Sequence, residues 1–238
     1  MAMILAAGLV TLAVAAASSG KPNSSLSRQE RIDLAAQAQI STVRVAARAC
    51  PGVIHGSGFV VDGLLFTSGH IAVHDQRLKV DRPGQSVESL VVATSTSLDV
   101  AVADAAGLIA VEMSLGPKPA REGESVFVAG FPDGRDLEMF EAKITRYGSA
   151  SEWGVAGRRV MLLEPAIRAG FSGGPVMDRD GLVVGMLAGV DAVTGLAVAI
   201  PGDELGPVVS LAVETWASES GSGELTGSVA HSARACGS

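Results

Sequence analysis

Short apolar runs separated by turn sequences fill the chain from Gly52 to Ile200. Run lengths of this kind, with period-two alternation, are typical of β-strands. The clearest unit is Gly58–Val61, the turn Asp62-Gly63 and the return run Leu64–Thr67, which together predict a hairpin. Further strands are predicted over Lys79–Asp81, Ser89–Thr94, Asp99–Ala103, Ser125–Gly130, Phe140–Arg146, Arg159–Leu163, Pro175–Met177, Leu182–Leu187 and Leu196–Ile200. Two comparable sets of strands meet near residue 118, a pattern that favours an all-β pair of antiparallel barrels over a βαβ fold.

The flanks of this β-rich region have a different composition. Residues 2–17 are almost wholly apolar and end in small residues, which predicts a signal peptide. An uncleaved membrane anchor and a buried core helix are the alternatives. The sequence therefore divides as follows: 1–20 signal peptide or anchor, 21–49 linker and N-terminal helical segment, 50–118 first barrel, 119–213 second barrel and C-terminal helix, 214–238 flexible tail. Within this division, Arg28–Gln39 has helical composition, and Ser41–Ala49 is either a helix end or a first strand.

Composition supports a large core and excludes one class of partner. Hydrophobic residues make up 47% of the 238 residues and charged residues only 18%. Aromatic residues account for 4%, so Val, Ala, Leu and Ile are expected to fill the core. The net charge of −7, without a Lys/Arg run, argues against a nucleic-acid surface.

The chain has two cysteines, Cys50 and Cys236. They are too far apart in sequence for a CxxC zinc or redox motif. Two free thiols and one long-range disulfide are the alternatives, and the predicted export to an oxidising compartment favours the disulfide.

The stretch Ala169–Pro175 places one serine, Ser172, among three glycines. A Gly-rich turn between strands would explain such a sequence, but a nucleophilic serine needs it, because the backbone must turn sharply and aim N–H groups at an oxyanion. The spacing also fits G-x-S-x-G, the nucleophile elbow of α/β-hydrolases, in which a helix follows the serine. Here two glycines and a D-R-D-G turn follow, so a short strand and hairpin are predicted instead.

Four histidines are candidates for the base that a serine nucleophile requires. His70 follows the hairpin at Ser68-Gly69, where a loop can point it into a cleft. We expect His55 to be a surface or turn residue, and His231 lies in the tail. His70 and His74 have the spacing of helix-borne metal ligands, but residue 71 is Ile rather than the Glu of H-E-x-x-H, and no further histidine lies nearby. We therefore expect no metal and no cofactor.

Asp99 is the best candidate for the carboxylate that orients the base. It begins the apolar run Val100–Val102, so it should be half-buried and in need of a partner. Asp104 and Asp75 are weaker candidates, and a plain strand-end turn is the alternative explanation for Asp99.

Four motifs in this order resemble the chymotrypsin-like serine proteases, and most closely the bacterial HtrA branch. They are Gly56–Val61, Phe66–His70, Leu98–Val102 and Gly170–Pro175. The resemblance covers roughly Cys50 to Val213 and implies two six-stranded antiparallel barrels with the active site between them. A finer resemblance is to MarP-like periplasmic proteases, whose members carry one cysteine before the first barrel and another after the last helix, as Cys50 and Cys236 would be.

The resemblance implies a role for each candidate residue. Ser172 would attack, His70 would act as general base, Asp99 would orient it, and the N–H groups of Gly170 and Ser172 would form the oxyanion hole. The substrate pocket would include Ala166, Ile167, Leu187, Ala188 and Gly189, whose sizes favour small or medium apolar side chains of a protein or peptide substrate. The substrate backbone would pair with the strand edge at Leu187–Gly189.

The sequence departs from the family pattern at two positions. Phe171 stands where digestive members carry the aspartate that pairs with a new N-terminal amine, so activation by zymogen cleavage is not expected. Gly69 replaces the usual Ala before the histidine, which should loosen that loop slightly.

Two other function classes remain open at this point. One is a protease-like binding module that keeps the fold without catalysis. The other is an α/β-hydrolase esterase that uses Ser172 with Asp191 and His231.

Overall fold

The computed structural model describes residues 26–50, 52–73, 75–149, 151, 159–208 and 210. The helices among them are α1 (Arg28–Ser41), α2 (Gly69–Ala72), a 3₁₀ turn at Pro132–Gly134 and a helical segment at residues 202–208. The strands are β1 (Thr42–Ala49), β2 (Gly52–Val61), β3 (Leu64–Ser68), β4 (Arg77–Arg82), β5 (Gln85–Ser95), β6 (Val100–Asp104), β7 (Ser125–Gly130), β8 (Glu138–Ser149), β9 (Arg159–Glu164), β10 (Pro175–Met177), β11 (Val183–Val190) and β12 (Ala197–Pro201). None of the described helices is long and apolar enough to cross a membrane.

The twelve strands form two closed antiparallel barrels of six strands each. Strand order is β1-β2-β3-β6-β5-β4 in the first barrel and β10-β11-β12-β9-β8-β7 in the second. Because each barrel is closed, every strand has a paired neighbour on both sides, and neither sheet has an edge strand. The predicted all-β, two-barrel architecture is therefore confirmed.

The first barrel begins earlier than its predicted boundary at residue 50. Thr42–Ala49 is strand β1, which pairs with β2 on one side and with β4 on the other and so closes the barrel. Its Ala and Arg residues favour a helix locally, which left helix end and strand as alternatives in the sequence. Pairing with both β2 and β4 makes this segment a strand, in which Val43 and Val45 are fully buried.

The helix α1 begins at a capping box. The Ser27 hydroxyl accepts from the Glu30 N–H at 3.2 Å, and the Ser27 N–H donates to the Glu30 carboxylate at 2.7 Å. Leu34 and Ala38 are its buried apolar positions, and the Gln37 amide donates to the Gly181 carbonyl of the second barrel. The helix thus starts where its cap predicts and lies against the β10–β11 hairpin.

Aliphatic residues fill most of both barrel interiors, as the composition predicts. Phe59 and Phe66 are stacked neighbours in the first barrel, with ring centroids 5.9 Å apart. Methionines add to the core more than expected, since Met161, Met177 and Met186 are all fully buried. Unbranched Met side chains fill irregular gaps that few aromatic residues are available to fill.

Candidate active site

His70 and Asp99 are brought together by elements of the first barrel. His70 lies in the single-turn helix α2 directly after β3, and Asp99 lies in the turn before β6. Strands β3 and β6 are paired, with Ser68 opposite Val100, so the next residues, Gly69 and Asp99, face each other and His70 follows directly. The helix α2 replaces the loop that the sequence suggested.

Both oxygens of the Asp99 carboxylate accept hydrogen bonds from His70. Oδ2 lies 2.8 Å from the ring Nδ1, and Oδ1 accepts the His70 backbone N–H at 2.7 Å. An ionised carboxylate only accepts, so Nδ1 is the donor of this bond, and in the neutral imidazole Nε2 then carries the lone pair. The His70 and Asp99 side chains are 46% and 27% exposed, so the imidazole is accessible from solvent.

The Asp99 backbone is held in the left-handed region, with φ at 55°. Its carbonyl accepts the Gly69 N–H at 2.8 Å. A Cβ on residue 69 would lie only 3.1 Å from the Asp99 carbonyl carbon and 3.2 Å from Oδ1. Gly69 therefore makes room for the strained turn at Asp99, and this close approach explains the departure from the usual Ala.

The Ser172 loop leads into β10 from the second barrel and touches the first barrel with its backbone. The Ser172 carbonyl accepts the Ser57 N–H at 2.8 Å. A Cβ on Gly173 would overlap the Ser57 carbonyl and lie 2.9 Å from the Ser68 N–H, two residues before His70. The Ser172 loop therefore packs against the first barrel directly beside the segment that carries His70. With φ at 85° and no room for a Cβ, residue 173 has to be glycine.

The Ser172 hydroxyl donates to the Ala188 carbonyl at 3.2 Å. Among the described residues, no hydrogen bond joins it to His70. Catalytic hydrogen bonds are often loose without substrate and tighten when substrate binds, so this rotamer is compatible with a nucleophile at rest.

Two peptide groups in the Ser172 loop have their carbonyls fixed, and this determines where the opposite N–H groups point. The Ala169 carbonyl accepts the Asp133 N–H at 2.9 Å, and the Phe171 carbonyl accepts the Gly174 N–H at 2.9 Å. In a trans peptide the N–H points away from the carbonyl. The N–H groups of Gly170 and Ser172 consequently point away from these bonds, and neither has a hydrogen-bond acceptor among the described residues.

Gly170 is required for this arrangement. Its φ is 95°, and a Cβ there would overlap the Phe131 carbonyl. Phe171 is 1% exposed and packs edge-on against Phe140, with centroids 5.5 Å apart. Apolar packing thus anchors residue 171, where the resemblance would otherwise imply an ion pair.

A β-bulge in strand β11 shapes the predicted substrate edge. Its pairing with β12 shifts between Leu187 and Gly189, which sets Ala188 apart. Leu187 itself is engaged, because its N–H donates to the Gly174 carbonyl and its carbonyl accepts the Gly173 N–H. The pairing of β11 with β10 ends at Met186, so the side of β11 opposite β12 is unpaired at residues 188–190. The available edge therefore starts one residue later than the predicted Leu187–Gly189.

The other predicted pocket residues differ in exposure. Leu187 and Ile167 are buried, Ala188 and Gly189 are half-buried, and Ala166 is exposed. A Cβ on Gly189 would meet nothing within 4 Å, so the space beside the strand is open there.

An open cavity of about 630 Å³ lies beside His70 on the first barrel. Its lining includes Asp99 and the β5 residues Val91, Ala93 and Thr94. The sequence analysis did not predict this cavity, because the β5 residues lie beside His70 only through the pairing of distant strands in the barrel.

Several other candidates have different surroundings. Asp104 and Asp75 accept local backbone N–H groups two residues further on, from Ala106 and Arg77 respectively. His55 is exposed as expected but lies in β2 rather than in a turn, beside Gly134. His74, His231 and Cys236 lie outside the described residues.

The α/β-hydrolase alternative is wrong. Ser172 is followed by a turn and the strand β10 instead of a helix, and both sheets are antiparallel barrels. Asp191 is 4% exposed, and its carboxylate accepts the N–H groups of Val193 and Thr194 in the β11–β12 turn.

Two six-stranded barrels, with a His–Asp pair and a glycine-enclosed serine at their junction, define the chymotrypsin-like class. The chain belongs to the trypsin-like peptidase domain family, whose family model matches residues 56–186. It is 28% identical over 174 residues to the serine protease Rv3671c of Mycobacterium tuberculosis, covering 69% of this chain and 44% of that protein. It is 34% identical over 155 residues to the putative serine protease HhoB of Synechocystis, covering 61% of this chain and 37% of that protein.

The solved structures agree on the fold. The active form of the Rv3671c protease, which is the mycobacterial MarP, superposes with a TM-score of 0.70 at 24% identity. This match covers 83% of this chain and 93% of that one. The predicted resemblance to HtrA-type and MarP-like proteases is confirmed at the level of homology. The chain spans less than half the length of the two curated relatives, 44% and 37% respectively.

Proposed function

We propose that this chain is a serine endopeptidase that hydrolyses peptide bonds through an acyl-enzyme. The observation that carries the proposal is the hydrogen-bonded His70–Asp99 pair, together with the packing of the Ser172 loop against Ser68, two residues before His70. Family membership supports the same chemistry. In this proposal His70 is the base, Asp99 orients it and Ser172 is the nucleophile.

The reaction proceeds in two halves. Ser172 Oγ bonds to the scissile carbonyl carbon, its proton passes to His70 Nε2, and the carbonyl electron pair moves onto oxygen. The Gly170 and Ser172 N–H groups stabilise that oxyanion, and one such donor contributes about 2.7–4 kcal/mol to the transition state. His70 then protonates the leaving amine as the C–N bond breaks. Water, deprotonated by His70, cleaves the resulting ester and regenerates Ser172.

The substrate is proposed to be a peptide with a small or medium apolar side chain beside the cleaved bond. The unpaired edge of β11 at residues 188–190 would pair with the substrate backbone. The cavity on the His70 side has room for a neighbouring apolar side chain. The described walls near Ile167 and Leu187 carry no carboxylate that would select Arg or Lys.

We further propose an exported protein with a Cys50–Cys236 disulfide. The apolar N-terminal stretch supports export, whether it is removed or serves as an anchor. Cys50 is not a free thiol in the structure, which supports the pairing.

Labelling with a fluorophosphonate tests the proposed function directly. We expect one adduct, located by peptide mass spectrometry at Ser172, and turnover of an unstructured protein such as casein. Ser172→Ala is the matched control and should abolish both. A folded wild-type protein that neither labels nor cleaves would instead support the non-catalytic binding module.

A further inference from the structure

Ser57, in strand β2 of the first barrel, has no exposed surface and makes four hydrogen bonds. Its N–H donates to the Ser172 carbonyl at 2.8 Å, and its carbonyl accepts the Thr67 hydroxyl at 2.7 Å. Its hydroxyl donates to the Gly170 carbonyl at 2.7 Å and accepts the Phe131 N–H at 2.9 Å. This fully buried hydroxyl both donates and accepts a hydrogen bond with the other barrel, so it fixes the backbone there as well as filling space.

We propose that Ser57 is a positioning residue that holds the oxyanion-hole peptide of the second barrel in its productive orientation. The proposal rests on the proposed peptidase function. Ser57 would not touch the substrate, because its hydroxyl is buried beneath the nucleophile loop.

The two hydroxyl bonds act on both sides of the Gly170 N–H. One bond fixes the Gly170 carbonyl, which belongs to the next peptide group. The other fixes Phe131 at the start of the turn whose Asp133 N–H holds the Ala169 carbonyl. The Ala169–Gly170 peptide supplies the oxyanion donor, and its orientation is therefore supported from both ends.

The unsatisfied donor of Gly170 makes this support necessary. Gly170 has φ at 95°, a Cβ there would overlap the Phe131 carbonyl, and its N–H has no acceptor among the described residues. A peptide with one unsatisfied donor gains a hydrogen bond if it rotates toward another acceptor. The fixed carbonyls on either side oppose that rotation.

Ser57→Ala isolates the hydroxyl. It removes both side-chain bonds but keeps the backbone bond from residue 57 to Ser172, so the nucleophile stays attached. We expect kcat to fall about 100-fold, near the lower limit for loss of one oxyanion donor, while KM changes less than threefold. The acid limb of the pH profile should stay in place, because the His70–Asp99 pair is untouched.

Affinity for a peptide aldehyde distinguishes a role in the oxyanion hole from a purely structural role. The tetrahedral adduct of the aldehyde with Ser172 places an oxyanion-like oxygen in the oxyanion hole, whereas the matching peptide amide binds without forming such an adduct. In Ser57→Ala the aldehyde should lose affinity by about the same factor as kcat/KM, and the amide should lose little. Ser89→Ala is the matched control, since Ser89 is a buried serine of the same barrel whose hydroxyl has no partner.

If Ser57→Ala does not fold, Ser57→Cys is the second variant, since its slightly larger thiol still fills the site but is a weaker donor and acceptor. It should show a smaller loss of kcat with the same unchanged KM. Wild-type kcat in either folded variant, or an equal loss of affinity for aldehyde and amide, would overturn the proposal. A wild-type protein that is not labelled at Ser172 would overturn the peptidase function itself. A wild type that is labelled, with Ser57 variants of unchanged kcat, would overturn only the role of Ser57.

Discussion

Asp99 combines backbone strain with a double hydrogen bond to one partner. Its left-handed backbone presents one oxygen to the His70 N–H and the other to the ring. A residue at this position must therefore tolerate a positive φ and accept two hydrogen bonds, and among the residue types that adopt this backbone, aspartate supplies two acceptor oxygens.

Asp99→Asn separates geometry from charge at this position. Asn also tolerates a positive φ, so the fold should be kept, but its amide would face one of the two donors and favour the wrong imidazole tautomer. We expect kcat to fall about 10⁴-fold, the loss recorded for this change in the chymotrypsin triad, with an unchanged melting temperature. Steady-state kinetics beside a thermal melt checks both expectations. A loss of less than tenfold would remove Asp99 from the orienting role.

Single residues were predictable where a chemical requirement left a pattern. Ser172 stood out among its glycines, and Asp99 at the start of an apolar run. Ser57 did not stand out, although it lies in the Gly56–Gly58 motif, because a buried serine between glycines is indistinguishable from a strand residue. Asp133 gave no signal either, since its contribution is a backbone N–H.

At the scale of elements, the β10–β11 hairpin combines a tight turn with a partly buried carboxylate. The Asp178 side chain accepts the N–H groups of Asp180 and Leu182, both at 2.9 Å. Burial raises the pKa of Asp178, and these two backbone hydrogen bonds only partly oppose it. Because the folded-state pKa lies above the unfolded one, the favourable contribution is complete in acid and is lost as pH rises through the folded value.

Asp178→Asn should therefore stabilise the protein at neutral pH. Asn keeps an oxygen for the two N–H groups and avoids the cost of a half-buried charge. We expect a higher melting temperature at pH 7, with an advantage that shrinks as pH falls through the raised folded-state pKa and is gone below about 4, the ordinary range of an aspartate. Asp180→Asn, which removes the same charge from an exposed neighbour, is the control and should change little. Lower stability at pH 7 in Asp178→Asn would show that the turn needs the charge.

The strands were predictable from their periods, but their ends were not. Each predicted strand lies wholly or mostly within an observed one, and β10 matches to the residue. The strand β2 begins at Gly52 instead of Gly58, because the whole of β1 pairs with residues 52–59. The bulge at Ala188 and the strand assignment of Thr42–Ala49 depend on distant partners, which a local pattern does not contain.

On the scale of the whole molecule, the proposed active site depends on contacts between barrels that fold from separate stretches of chain. Hydrogen bonds link them, including the backbone bond from the Ser57 N–H to the Ser172 carbonyl and the bond from the Arg44 guanidinium of β1 to the Gly134 carbonyl at 2.7 Å. The sequence predicted two barrels with the site between them, and the resemblance supplied the chain order His, Asp, Ser. It did not predict which backbone groups hold the barrels together.

Reduction tests the proposed Cys50–Cys236 disulfide. Closing so long a loop restricts the unfolded chain, and the chain-entropy value of about 5 kcal/mol is an upper limit for its effect on the free energy of unfolding. We expect dithiothreitol to lower the melting temperature of the wild type and to leave a double Ser variant unaffected. Equal melts, with both cysteines alkylated in the native protein, would show two free thiols.

The hydrogen bonds from Ser57 to the opposite barrel have a consequence for how activity is lost in denaturant. The hydroxyl ties two backbone groups of the opposite barrel at lengths below 3 Å, 2.7 and 2.9 Å. A rotation of one barrel against the other by a fraction of an ångström would stretch these ties while every strand pair stayed intact. Turnover by the proposed peptidase should thus decline at lower denaturant concentrations than the circular dichroism signal of its strands. The rate would then report on the contact between the two barrels.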